Sequence, residues 1–112
     1  MSAPVLNRAL VLEAPVPAPD GAGGLTETWT ALGSLWGELR PRTGREVTGE
    51  AGAVAVNAVR VTVRGAPQGA SNRPVAGQRF RCGERIFRIL AVTERAPDGM
   101  YLICETREEV AA

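Results

Sequence analysis

Nucleophilic and acid–base chemistry near neutral pH draws mostly on histidine, lysine and activated cysteine. This chain of 112 residues has no histidine and no lysine, and its only thiols are Cys82 and Cys104. Two thiols without histidine cannot complete a four-ligand zinc set of the usual kind. Each lies inside a strand-like run, where a free cysteine acts as a small buried hydrophobe. Ser2, Ser34 and Ser71 have no base suggested by the sequence. Glu108 and Glu109 form an acid pair, but adjacent carboxylates near a chain end are normally solvated. The glycine-rich run from Asp20 to Gly24 does not follow a strand and open a helix, as a phosphate cradle would. The expectation is therefore a protein that is not an enzyme and takes no cofactor or metal, with function residing in surfaces and partners.

All 13 basic residues are arginine, and 12 acids bring the net charge to +1. The planar arginine fork suits ion pairs at protein interfaces, and near-neutral charge argues against non-specific nucleic-acid or membrane binding. Arginine, alanine, glycine and proline excess also fits a GC-rich coding sequence. The N-terminal MSAPVLNRALVLEAP lacks the basic start and long apolar run of a signal peptide or membrane span, so a reducing cytoplasm is the expected site of synthesis. Trp29 and Trp36 read first as core or barrel-end plugs and second as contact anchors.

The elements that would carry such surfaces are strands. Alternation of period two marks half-buried strands: Val59, Val61 and Val63 share one face, and Phe80 and Cys82 alternate with Arg79 and Arg81. Gly83-Glu84 supplies a tight turn, predicting a hairpin of 79–82 with 85–93. The second arm is apolar on both faces, which predicts a central strand covered on both sides. Pro97-Asp98-Gly99 predicts the next turn, before a last strand over about 100–107. Upstream, residues 5–13 read as a first strand, Ala14 to Gly24 as an exposed proline- and glycine-rich loop, and two further strands are expected around Thr26–Ala31 and over 34–40. Pro41 to Val56 reads as a projecting excursion, either a long hairpin or a short helix, and Gly65 to Gly77 as a second loop. One domain is expected at this length. The fold class is mainly β: a small antiparallel barrel or sandwich of six to seven strands with long projecting loops.

The order of features, LNRALVLEAP, a glycine-rich turn, ETW, LWGELRPRTGRE, VRVTVRG and RFRCGERIFRILAVTE before an acidic end, resembles the head–tail joining family of tailed bacteriophages, also called head-completion, head-closure or stopper proteins. The resemblance runs from about Leu6 to Glu109, and its most specific parts are Trp36-Gly37 with PRTGRE, the VRG ending at Gly65, and Gly83 to Ile89. The loop after VRG departs from the family in being rich in alanine, glycine and proline. The resemblance implies a homo-oligomeric ring of β-barrel subunits in the neck of a virion or gene transfer agent. Its partners would be the portal or adaptor on one side and the tail terminator or tube on the other, with packaged double-stranded DNA passing through and no membrane. Contact candidates on the two loops are Arg40, Arg42, Arg45, Glu46, Glu50, Gln68, Asn72 and Arg73, with Trp36 beside them. The rival class is a small OB- or SH3-like barrel that binds nucleic acid through Arg60, Arg64, Arg79 and Arg81. Such modules stack bases on clustered aromatics, and the aromatics here do not share a face. A tail terminator is a third reading.

Overall fold

The computed structural model describes residues 4–42, 57–66, 69–95 and 100–109. Six strands form one antiparallel sheet: β1 (Arg8–Pro19), β2 (Leu25–Pro41), β3 (Ala58–Arg64), β4 (Arg79–Cys82), β5 (Arg85–Glu94) and β6 (Tyr101–Glu109). The order β1-β2-β3-β6-β5-β4 closes on itself through β1 and β4, giving a barrel. No helix occurs among the described residues.

The alternation read from the sequence sets the inside of the barrel. Leu10, Leu12, Val59, Val61, Val63, Phe80, Phe87, Ile89, Leu102 and Cys104 form the buried core. The polar Thr106 joins them because its hydroxyl donates to the Val59 carbonyl at 2.7 Å, so no bonding group is left unmet. Gly37 faces the same interior. A Cβ there would stand 2.6 Å from Leu10 Cδ1 and 3.1 Å from the Thr62 carbonyl oxygen, so β2 approaches its neighbours as only glycine allows. The expected turn at Gly83 has φ of 64°, which suits glycine.

Three expectations need correction. Ala14 to Pro19 is not loop: β1 continues through Pro19, and only Asp20 to Gly24 turns. Its prolines are tolerated because they alternate. The Asp20 amide donates to the Gly24 carbonyl, which fixes the backbone of Ala18, Val16 and Ala14 as facing β2. Pro15, Pro17 and Pro19 then face away, on an edge where no ladder hydrogen bond is needed. The two strands expected near 26–31 and 34–40 are one, β2, whose register slips once where Leu12 pairs Gly33 and Glu13 pairs Ala31. Leu32 is the extra residue of that bulge, and it packs against the core.

Nor is β5 covered on both faces. Ile89 pairs Thr106 and Ala91 pairs Glu105, so Leu90 bulges out and is exposed. The bulge exchanges the faces: Phe87 and Ile89 point inward before it, and Val92 packs on the core after it. A period-two reading cannot see such a slip, because both phases are filled with apolar residues. The turn expected at Pro97 to Gly99 and the excursion from residue 43 to 56 lie outside the described residues.

Candidate interaction surface

The outer wall of the barrel carries arginines paired with carboxylates across strands. On β1, Glu13 is nearly buried and accepts from Arg79 Nε at 2.6 Å and Arg81 Nε at 2.9 Å. Burial alone raises its carboxyl, but the hydrogen bonds and charges of the two guanidiniums more than offset this and hold it below the ordinary value. Glu105 on β6 bridges Arg42 and Arg60, each at 2.9 Å. At the end of the barrel, on the inner face that Phe87 and Thr106 share, Arg85 makes a two-pronged pair with Glu108 at 2.8 and 3.0 Å. That contact lowers the Glu108 carboxyl and raises Arg85. Most guanidiniums on this wall are thus spent on the fold.

Trp29 belongs to this wall and not to the core. Its ring lies under the guanidinium carbons of Arg79 at 4.1 Å and Arg88 at 5.1 Å, which seat the base of the β1–β2 hairpin against β4 and β5. Trp36 departs further from a core role: it is 61% exposed, on the outer face of β2 opposite Ala9. Beside it, Glu38 accepts from Arg40 Nε at 3.2 Å and from the Val5 amide at 3.0 Å. Val5 itself is exposed.

The other candidates are scattered. Arg42 closes the end of β2, its amide on the Ala58 carbonyl and its guanidinium on Glu105. Arg73 donates to the Ala66 carbonyl at 2.7 Å and reaches Glu94 at 3.6 Å, so it ties down its own loop. Asn72 is exposed in a turn of the same loop. Arg45, Glu46, Glu50 and Gln68 lie outside the described residues. The structure links Arg40 to Arg42 through Arg60 and Glu105 and sets Trp36 on the same face of β2 four residues before Arg40; it does not bring Arg73 or Asn72 into a charged cluster with them.

No group of three or more potential metal ligands is present among the described residues. Cys104 is buried, and burial, with the nearby Glu105 charge, pushes its thiol up to about 12, far from a nucleophile's range. The amides of Ala22 and Gly24, which a phosphate would need, already donate to Asp20 Oδ1 at 2.8 and 3.0 Å.

Exposure makes the role of Trp36 measurable. Trp36→Ala is expected to change folding stability by no more than about 0.5 kcal/mol, against about 3–5 kcal/mol for a buried tryptophan. Urea unfolding of the purified variant gives the answer, and a loss above about 2 kcal/mol would return the indole to a load in the fold.

The family model for phage head completion protein matches residues 1–109. A chain in the virion of a native gene transfer agent particle is 51% identical over 98% of this chain and 100% of that one, with a TM-score of 0.75. The solution structure of protein SF1141 from Shigella flexneri 2a is similar in fold, at 18% identity and a TM-score of 0.69 over 96% of both chains. No curated protein sequence matches the chain.

Proposed function

Since this chain belongs to the phage head completion protein family, we propose that it is the head-closure subunit of a phage-like particle. Copies form a ring between the portal or its adaptor and the tail, extend the DNA channel, retain the packaged duplex and present a docking face to the tail. The observation that carries this reading is the 51% identity, over nearly the whole chain, to a chain of a gene transfer agent virion. It also favours a gene transfer agent over a lytic phage as the particle concerned.

The physical character of the molecule supports a mechanical role. A ring under the pressure of packaged DNA needs rigid subunits and broad contacts. Here the strands close into a barrel and the wall is cross-braced by ion pairs. The exposed Trp36 with Arg40 offers the kind of aromatic and arginine anchor that dominates binding energy at interfaces. Arg45, Glu46, Glu50 and Gln68 extend that proposed contact set, with Arg42, Asn72 and Arg73 at the bases of the two loops. Direct binding of single strands is the weaker reading, because Trp29 is covered by two guanidiniums and has less ring to offer a base.

Deleting the gene and imaging particles from the producing cells tests the proposal. The expected result is heads that leak or lack DNA, beside free tails. Tailed, filled particles without the gene would overturn it.

A further inference from the structure

The two edges of the β1–β2 hairpin are unlike. Beyond the barrel, β1 pairs β4 only through Val11 to Glu13, and β2 pairs β3 only from Gly37 to Pro41. Between these limits the hairpin stands with both outer edges unpaired, and it contributes to a molecule 53 Å long. The β1 edge is sealed, because Pro15, Pro17 and Pro19 remove every outward N–H. The β2 edge is open. Leu25, Glu27 and Trp29 pair with those three prolines, so their own N–H and C=O groups point away from β1. No hydrogen bond to any of these backbone groups exists among the described residues.

Exposed unpaired edges invite uncontrolled strand pairing, and natural sheets blunt them with proline, charge or cover. This hairpin blunts one edge three times over and leaves the other as a run of threonines and tryptophan, TETWT. We infer that the outer edge of β2, from Leu25 to Trp29, is a strand-addition site that receives an extended segment of a different protein of the particle. The inference rests on the reading that the chain works in a particle neck.

The chemistry beside the edge describes the occupant. No arginine or lysine lies between Arg8 and Arg40, so the hairpin is without a cation while the barrel wall is crowded with them. Glu27 is exposed and has no ion-pair partner among the described residues. Next to it an open cleft of about 340 Å³ is lined by Pro15, Pro17, Leu25, Thr26 and Glu27, and Leu25 is 73% exposed. An added strand therefore carries a basic side chain facing Glu27 and an apolar one on the same face, two residues away, over the proline and leucine cleft. A second copy of this chain is the poorer donor. Its β3, β4 and β6 are paired on both sides, and its own β1 edge lacks N–H groups at alternate positions. Its open β2 edge has no cation to offer and, paired antiparallel over Leu25, Glu27 and Trp29, would set Glu27 directly against Glu27.

Amide hydrogen exchange on intact particles and on the isolated full chain reads those N–H groups directly. In the isolated chain Leu25, Glu27 and Trp29 exchange freely while Thr26, Thr28 and Thr30, which face β1, are protected. In particles the first three slow by about 100-fold or more. Equal fast exchange in both samples overturns the inference. Benzoylphenylalanine placed at Leu25 then reports the neighbour on irradiation of particles: a cross-link to another particle protein is expected, and one to a second copy overturns the choice of occupant. A Leu25→Pro, Glu27→Pro chain keeps every internal hydrogen bond yet should enter particles at least about tenfold less; normal incorporation also overturns the inference. Failure of the neck reading looks different. Normal tails after gene deletion with slowed edge amides would remove the head-closure role and leave the strand site standing.

Discussion

Glu13→Ala is expected to lower folding stability by about 3 kcal/mol, toward the lower end of the range for breaking a buried ion pair. The carboxylate is 6% exposed and serves two guanidiniums, and its removal strands them unequally. The Arg81 side chain, 42% exposed, can turn to water, whereas Arg79, at 18%, is held under the loss by its stacking on Trp29. The same substitution therefore loosens the hairpin base, because Trp29 is gripped by an arginine that Glu13 orients. Glu13→Gln keeps one acceptor oxygen and should cost less. Urea titrations of the three proteins give the comparison, and a loss below about 1 kcal/mol for the alanine variant would show the cluster to be a surface ornament.

Acid should act through the same group. A carboxyl whose folded pKa lies below its unfolded value contributes stability that is fully present above the unfolded value and is lost as pH falls through the folded one. Burial works against Glu13, the arginine contacts outweigh it, and the net shift is downward from 4.5; Glu108 shifts the same way through Arg85. Stability should thus be level above about pH 5 and fall below about 4.5, with a shallower fall in the Glu13→Gln protein. An identical acid profile in the two would assign the fall to other carboxylates.

The parts of this molecule legible in its sequence are those where one face is apolar and the other charged. Val59, Val61 and Val63, the Phe80 and Cys82 arm, and the turn at Gly83 fall where alternation places them. Alternation fails where both faces are alike, as around Leu90, and where proline is read as a breaker without asking which way its missing N–H would point. Pro15, Pro17 and Pro19 are spaced by two, and that spacing is itself a strand signal for an edge. The tryptophans were hidden for another reason: size predicts burial, but Trp29 is covered by arginines from strands about 50 and 60 residues away, which no local pattern announces. Glu13, Arg79 and Arg81 could have been paired in advance only by knowing that the first and fourth strands close the barrel. Family resemblance reached the head completion family because order and spacing of all the strands are fixed together, while no single residue of the proposed contact surface carries it.

Phe87→Ala is expected to cost about 3–5 kcal/mol, which is a large share of the roughly 5–15 kcal/mol that holds a small domain. The chain has only two phenylalanines, and Phe80 and Phe87 are fully buried directly across from one another on β4 and β5. The core around them includes valine and isoleucine, whose branched Cβ atoms restrict rotation into a vacated space, so the hole stays open. Arg85, which stands 5.0 Å from the Phe87 ring while gripping Glu108, would lose its platform as well. Phe87→Leu keeps most of the volume and should recover all but about 1.5 kcal/mol. If alanine and leucine proved equally damaging in thermal unfolding, ring-specific contacts and not volume would set the cost. The pair also separates folding from the proposed docking: Phe87→Ala should deplete the protein itself, whereas Trp36→Ala should leave it abundant and folded but absent from particles, since only the second removes a surface without touching the core.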